Sequence, residues 1–250
     1  MLDHEGLPWA VLALSFAGFV KGATGFGLPL LAVPALANIL EPKMAVIIMS
    51  IPTLVAGAMM AVQTRSWEVV GSMGPLRWLI VTLVLGTVAG ANLLATLDTG
   101  VLGLAVGFTS VAFTIIALQG QSLDIRNYAG RLTPVIGLAA GVLNGTTNIS
   151  GPLIAIYLKC LQLEKRTFVS AINVLFTCTG VVQIISYVQL GLYTSESLVL
   201  SLGACLPIFL GVTLGLRANF LMGQKLFDRA VLVLIFISGV RLIVNTLMRS

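Results

Sequence analysis

Two stretches of this chain place polar chemistry inside otherwise apolar runs. One is Lys21-Gly22-Ala23-Thr24-Gly25-Phe26-Gly27-Leu28-Pro29; the other is Asn144-Gly145-Thr146-Thr147-Asn148-Ile149-Ser150-Gly151-Pro152. Glycine and proline both interrupt a helix, glycine through backbone entropy and proline through its missing N–H. In each stretch a proline follows a candidate cap, Gly27 in the first and Ser150 in the second. Proline suits the first helical turn, and serine offers a capping oxygen. A new helix is therefore expected to begin at each break, with its free N–H groups and positive dipole end directed into the break. Two such ends attract an anion. Lys21 adds a full positive charge, and Thr24, Asn144, Thr146, Thr147, Asn148 and Ser150 add neutral donors. Gly22, Gly25, Gly27, Gly145 and Gly151 complete the two turns with exposed amides, so all twelve residues are expected to bind substrate.

Each feature also has a plainer reading. The Lys21 stem could carry its ammonium to a headgroup, and the hydroxyls and amides could do no more than satisfy a bent backbone. Arg241, in the last apolar run, reads as a structural or lipid-facing residue, and Asn173 is expected beside the second break.

The chemistry that is missing is equally informative. Glu41, Asp98, Asp124, Glu164, Glu196 and Asp228 all sit near the ends of apolar runs, so no carboxylate is placed for a proton relay. Cys160, Cys178 and Cys205 stand apart, and the sole histidine is His4 in the N-terminal leader. Neither a metal nor a cofactor is expected, and the thiols read as small packing residues. Ser150 as a nucleophile would lack a histidine base, so an intramembrane enzyme is disfavoured. Basic residues are scattered singly, which gives no nucleic-acid surface.

The elements that position these stretches belong to a membrane protein. Of 250 residues, 58% are hydrophobic and 9% charged, against about 25% charged in soluble domains. Apolar runs fall near 7–40, 44–63, 74–96, 100–119, 130–158, 167–190, 198–221 and 229–247. They lack the alternation of barrel strands, so the expected fold is all-α and polytopic, one membrane domain over 1–250. The opening MLDHEG lacks the basic region of a secretory signal, so the first run is read as a retained segment.

The two interrupted runs, the first and fifth, occupy corresponding places in a duplicated chain. Gly18 and Gly22 match Gly137 and Gly141, Pro29 matches Pro152, Glu41 and Lys43 match Glu164 and Arg166, and Gly86 and Gly90 match Gly211 and Gly215. The repeats are placed at about 7–119 and 130–247. If each interrupted run crosses the membrane once, loop basic residues divide five against seven; if each turns back, they divide ten against two, with only Lys43 and Arg249 on the outer face. The positive-inside rule selects the second arrangement. Each half is then a re-entrant or broken helical hairpin plus three transmembrane helices. Three crossings invert the second half relative to the first, and both termini lie outside.

The stretches GFVKGATGFGLPLLAVPAL and GLAAGVLNGTTNISGPLIAIYL, with the duplicated arrangement between them, resemble the sulfite exporter TauE/SafE family of membrane permeases. Members often carry a GxGGG cluster where this chain has GATGFG and NGTTNISG. The resemblance implies a multi-pass protein of a bacterial inner membrane that moves small sulfur-containing or organic anions, such as sulfite, sulfonates or sulfoacetate, usually outward. The charge argument reaches "anion" without it; the sulfur comes only from the family. A secondary transporter or facilitator whose two halves rock about a midplane site fits this reading. An anion channel would share the site and differ in rate and saturation.

Overall fold

The structure is a computed structural model, and it describes residues 6–25, 27–63, 74–119, 129–218 and 224–249. The described residues form ten helices and no strand. The first half holds α1 (Gly6–Thr24), α2 (Leu28–Ala37), α3 (Pro42–Gln63), α4 (Gly74–Thr96) and α5 (Thr99–Gln119). The second holds α6 (Ala129–Thr147), α7 (Gly151–Cys160), α8 (Lys165–Gln189), α9 (Ser195–Ala218) and α10 (Gln224–Arg249). Seven of them are long and apolar enough to cross a membrane, while α2 and α7 are short and apolar. Large apolar side chains such as Trp9, Trp78, Val199 and Leu206 face outward, as lipid-facing residues should, because water would penalise so extensive an apolar exterior.

Both predicted breaks are present. Gly25 and Gly27 take φ of 88° and 96°, and Asn148 takes 60°. Glycine has no Cβ to clash in this left-handed region, and asparagine is among the few other residues that tolerate it. Each break is followed by a helix with proline in its first turn.

The chain doubles back at each break. Thr133, near the start of α6, is hydrogen-bonded to Tyr157, near the end of α7. In one continuous helix these residues, 24 positions apart, would be separated by about 36 Å. The glycine contacts give the directions of the spans. Gly57 lies against Thr177 and Gly180 against Leu54, so α3 and α8 are antiparallel; Gly103 lies against Thr246 and Gly107 against Ile243, so α5 and α10 are too. Had α6 and α7 formed a single crossing, α3 and α8 would run the same way. By contrast, Gly18 and Gly22 of α1 meet Ile208 and Val212 of α9, a parallel pair, and Gly86 and Gly90 of α4 meet Leu138 and Val142 of α6, another. Since α9 reverses α8, α1 runs with α3, and α2 must return between them. Accordingly, Asn245 near the end of α10 donates to Asn38 Oδ1 just past α2 at 2.9 Å, which places that end of α10 beside the end of the first hairpin. The loops carrying Arg65 and Arg126 lie outside the described residues.

The parallel pairs are the closest seams in the molecule, because glycines let one backbone approach another. A side chain at Gly22 would run into the Val212 carbonyl, and one at Gly145 into that of Thr87. These contacts shift one of the sequence matches. Gly18 and Gly22 pack on Ile208 and Val212 as Gly141 and Gly145 pack on Leu83 and Thr87. The counterpart of Gly18 in the other half, by its packing, is thus Gly141, one helical turn beyond Gly137. This agrees with the spacing from Pro29 to Pro152 and needs no insertion. Buried apolar residues gather into two clusters, one mainly from α1, α2, α3, α5, α9 and α10, the other from α4, α6, α7 and α8.

Candidate functional site

Lys21, on the last turn of α1, is 1% exposed. Its Nζ donates to Asn173 Oδ1 of α8 at 3.4 Å and sits 5.1 Å from the centre of the Phe176 ring. Among the described residues no carboxylate pairs with it. A charge at the centre of a bilayer costs at least about 2.5–3.5 kcal/mol, and one long hydrogen bond with a ring face offsets only part of that. The adjoining backbone is tidy: Gly25 N–H donates to the Lys21 carbonyl at 2.8 Å, and the Thr24 hydroxyl to the Val20 carbonyl at 2.9 Å. Asn173 therefore stands beside the first break, whereas sequence reasoning expected it beside the second.

The second break carries no charge and is held by a network. Ser150 Oγ donates to Asn144 Oδ1 at 2.9 Å, and Asn144 Nδ2 to Gln183 Oε1 at 3.4 Å. Gln183 Nε2 returns to the Asn144 carbonyl at 3.0 Å and to the Tyr187 hydroxyl at 2.9 Å; that hydroxyl donates to the Gly145 carbonyl at 2.8 Å. The Gly145 carbonyl, one of those a helix end leaves without a backbone partner, is thereby satisfied by α8, and the Asn144 carbonyl, which already accepts from Asn148 N–H at 2.9 Å, gains a second donor. Ser150 precedes α7 but makes no capping hydrogen bond. Its hydroxyl is spent on Asn144, so the expected serine cap is corrected, and the first turn of α7 keeps its N–H groups.

The threonines behave as the plainer reading foresaw. Thr146 Oγ1 donates to the Val142 carbonyl at 2.8 Å and lies 3.2 Å from that of Gly90, and Thr147 Oγ1 donates to Leu143 at 2.8 Å while receiving Ile149 N–H at 3.3 Å. Asn148 differs. Its Nδ2 reaches Thr53 Oγ1 of α3 at 3.2 Å, but its buried Oδ1 has no partner.

The breaks meet across α8 and α3. The Phe176 ring that faces Lys21 also abuts the start of α7, since a Cβ on Gly151 would stand 3.1 Å from its Cζ. Thr53 lies midway along α3, and Asn173 and Phe176 near the middle of α8, so the cluster is at mid-bundle depth. Lys21 and Gly151 share the Phe176 ring there, and Asn148, three residues before Gly151, is held at that depth by Thr53. Gly25 and Gly27 lie against Val169 and Val20, while Gly22 and Gly145 are taken up by the α1–α9 and α4–α6 seams. Thr53, Phe176, Gln183 and Tyr187 were not singled out from sequence. The pair Gln183 and Tyr187, one helical turn apart in an apolar span, was the available signal. Arg241 is exposed on α10, outside this cluster. The described residues hold no group of His, Cys, Asp and Glu able to bind a metal, and Cys160, Cys178 and Cys205 are free thiols.

A helical bundle with seven candidate spans, α1 of the first hairpin among them, and two doubled-back breaks is the architecture of a multi-pass membrane protein. Residues 10–242 match the family model described as sulfite exporter TauE/SafE, and the chain belongs to that family of membrane permeases. No curated protein and no solved structure matches the chain.

Proposed function

We propose that the protein is a secondary transporter or facilitator that carries small sulfur-containing or organic anions, such as sulfite or sulfonates, outward across a bacterial inner membrane. The observation that carries this reading is the burial of Lys21, without a carboxylate, between two breaks at mid-bundle depth. A buried cation of this kind calls for an anionic partner, and the substrate supplies it. The candidate ligands are Lys21, Gly22, Thr24, Gly25, Gly27, Asn144, Gly145, Thr146, Thr147, Asn148, Ser150 and Gly151, with Lys21, Asn148 and the first turn of α7 the best placed. Glycine seams that recur between the halves at matching positions support inverted repeats over 7–119 and 130–247. In such an arrangement alternating access exposes one central site to each side in turn. Loop charge supports both termini outside.

Purified protein in liposomes should exchange labelled sulfite or a small sulfonate. Absence of exchange from folded, correctly inserted protein would reject the transport reading.

A further inference from the structure

Resting on that reading, we infer that the site selects anions bearing a single negative charge, such as hydrogensulfite or a simple sulfonate, and discriminates against doubly charged ones, the sulfite dianion and sulfoacetate included. Lys21 is the only buried charged side chain among the described residues. The seams identify its counterpart in the second half. Gly22 and Gly145 make equivalent backbone contacts, so the residues just before them, Lys21 and Asn144, occupy equivalent places. Each gives its carbonyl to the residue four positions on, to Gly25 N–H at 2.8 Å and Asn148 N–H at 2.9 Å. Where the first half presents an ammonium, the second presents a neutral amide already tied to Gln183 and Ser150.

The helix ends do not supply the missing charge. Each break joins the C-terminus of one helix to the N-terminus of the next, and their fractional charges, about −0.5 and +0.5, offset one another. The N–H groups at α7 can orient oxygens, but the net compensation available is one unit, from Lys21. A monoanion leaves the buried site neutral. A dianion leaves one charge uncompensated in a low-dielectric setting, a penalty that burial makes large.

The test compares labelled methanesulfonate with labelled sulfate, both tetrahedral at sulfur, one with a single charge and one with two, in liposomes containing the full chain. Methanesulfonate should exchange at least about tenfold faster than sulfate, and unlabelled sulfate should compete at least about tenfold more weakly. In Asn144→Lys, which places a second ammonium opposite the first, the ratio should narrow. Should that variant fail to fold, the wild-type comparison decides alone. Sulfate moving as fast as methanesulfonate, or neither moving while labelled sulfite exchanges, overturns the charge inference and leaves anion transport standing; no movement of any of the three overturns both.

Discussion

Lys21 and Asn148 reach opposite members of the central helix pair: Lys21 Nζ bonds Asn173 of α8, and Asn148 Nδ2 bonds Thr53 of α3. Each break is thus fastened to the middle of a full span belonging to the other half of the chain. The two spans in turn lie antiparallel against one another through Gly57 and Gly180.

Replacing the ammonium is the most direct test of the site. Lys21→Met keeps the stem's length and apolar contacts with Phe176 and removes the charge. Exchange of labelled anion should fall by more than about tenfold while the protein stays monodisperse in detergent. Because it also relieves an unpaired buried charge, its melting temperature should not fall.

The glycine seams predict stability effects that differ sharply by position. Gly145→Val drives a side chain into the Thr87 carbonyl, and overpacking of this sort costs about 1–3 kcal/mol. Gly203 of α9 has open space around it, so Gly203→Val should be close to neutral. Thermal unfolding of both variants in the same detergent compares them, and equal shifts would refute the seam.

The doubled-back hairpins can be trapped chemically. With the native cysteines replaced, the pair Asn38→Cys and Asn245→Cys should cross-link readily, as should Thr133→Cys with Tyr157→Cys. A chain that crossed the membrane once at each break would put the members of either pair at opposite ends of the bundle.

Orientation is checked by labelling single cysteines in intact cells and in inverted vesicles. A cysteine at Glu41 should react from the outer side and one at Gln162 from the cytoplasmic side. Labelling of both from one side would contradict the charge-based assignment.

The network at the second break should matter for stability as well as transport. Gln183→Leu leaves the Asn144 Nδ2 without its acceptor on α8 and removes the donor to Tyr187, while the Asn144 carbonyl keeps its bond from Asn148 N–H. Each buried group left unsatisfied costs about 1–3 kcal/mol. A clear drop in melting temperature is expected, with partial recovery in Gln183→Glu at a pH low enough to protonate the new carboxyl.

Much of this architecture was readable from residue type and order. Long apolar runs give spans, and glycine and proline clustered around Lys21 and around Asn148 give breaks, because local backbone chemistry acts within a few residues. The turn-back followed from loop charge, since insertion reads lysine and arginine near the ends of spans. Which polar groups converge was less legible. Nothing local distinguishes Thr146 and Thr147, whose hydroxyls are consumed by their own helix, from Asn148, which reaches α3. That Asn173 accepts from Lys21 of the first break is likewise set by the tertiary placement of two distant helices, which no local pattern records. The glycine match slipped by one turn for a similar reason: Gly137, Gly141 and Gly145 repeat every four residues, and only the facing helix chooses among them.

The tightest pairs, α1 with α9 and α4 with α6, each join a helix from one half of the chain to a helix from the other. Seams with backbone against backbone leave little room to slide. Under the proposed alternating access each pair would travel as one block, so the moving parts would be interleaved and would differ from the first and second halves of this chain. The interleaved assemblies would be α1, α2, α3 and α9 against α6, α7, α8 and α4. In that cycle, relative motion would then concentrate at the contact between α3 and α8, around Gly57 and Gly180.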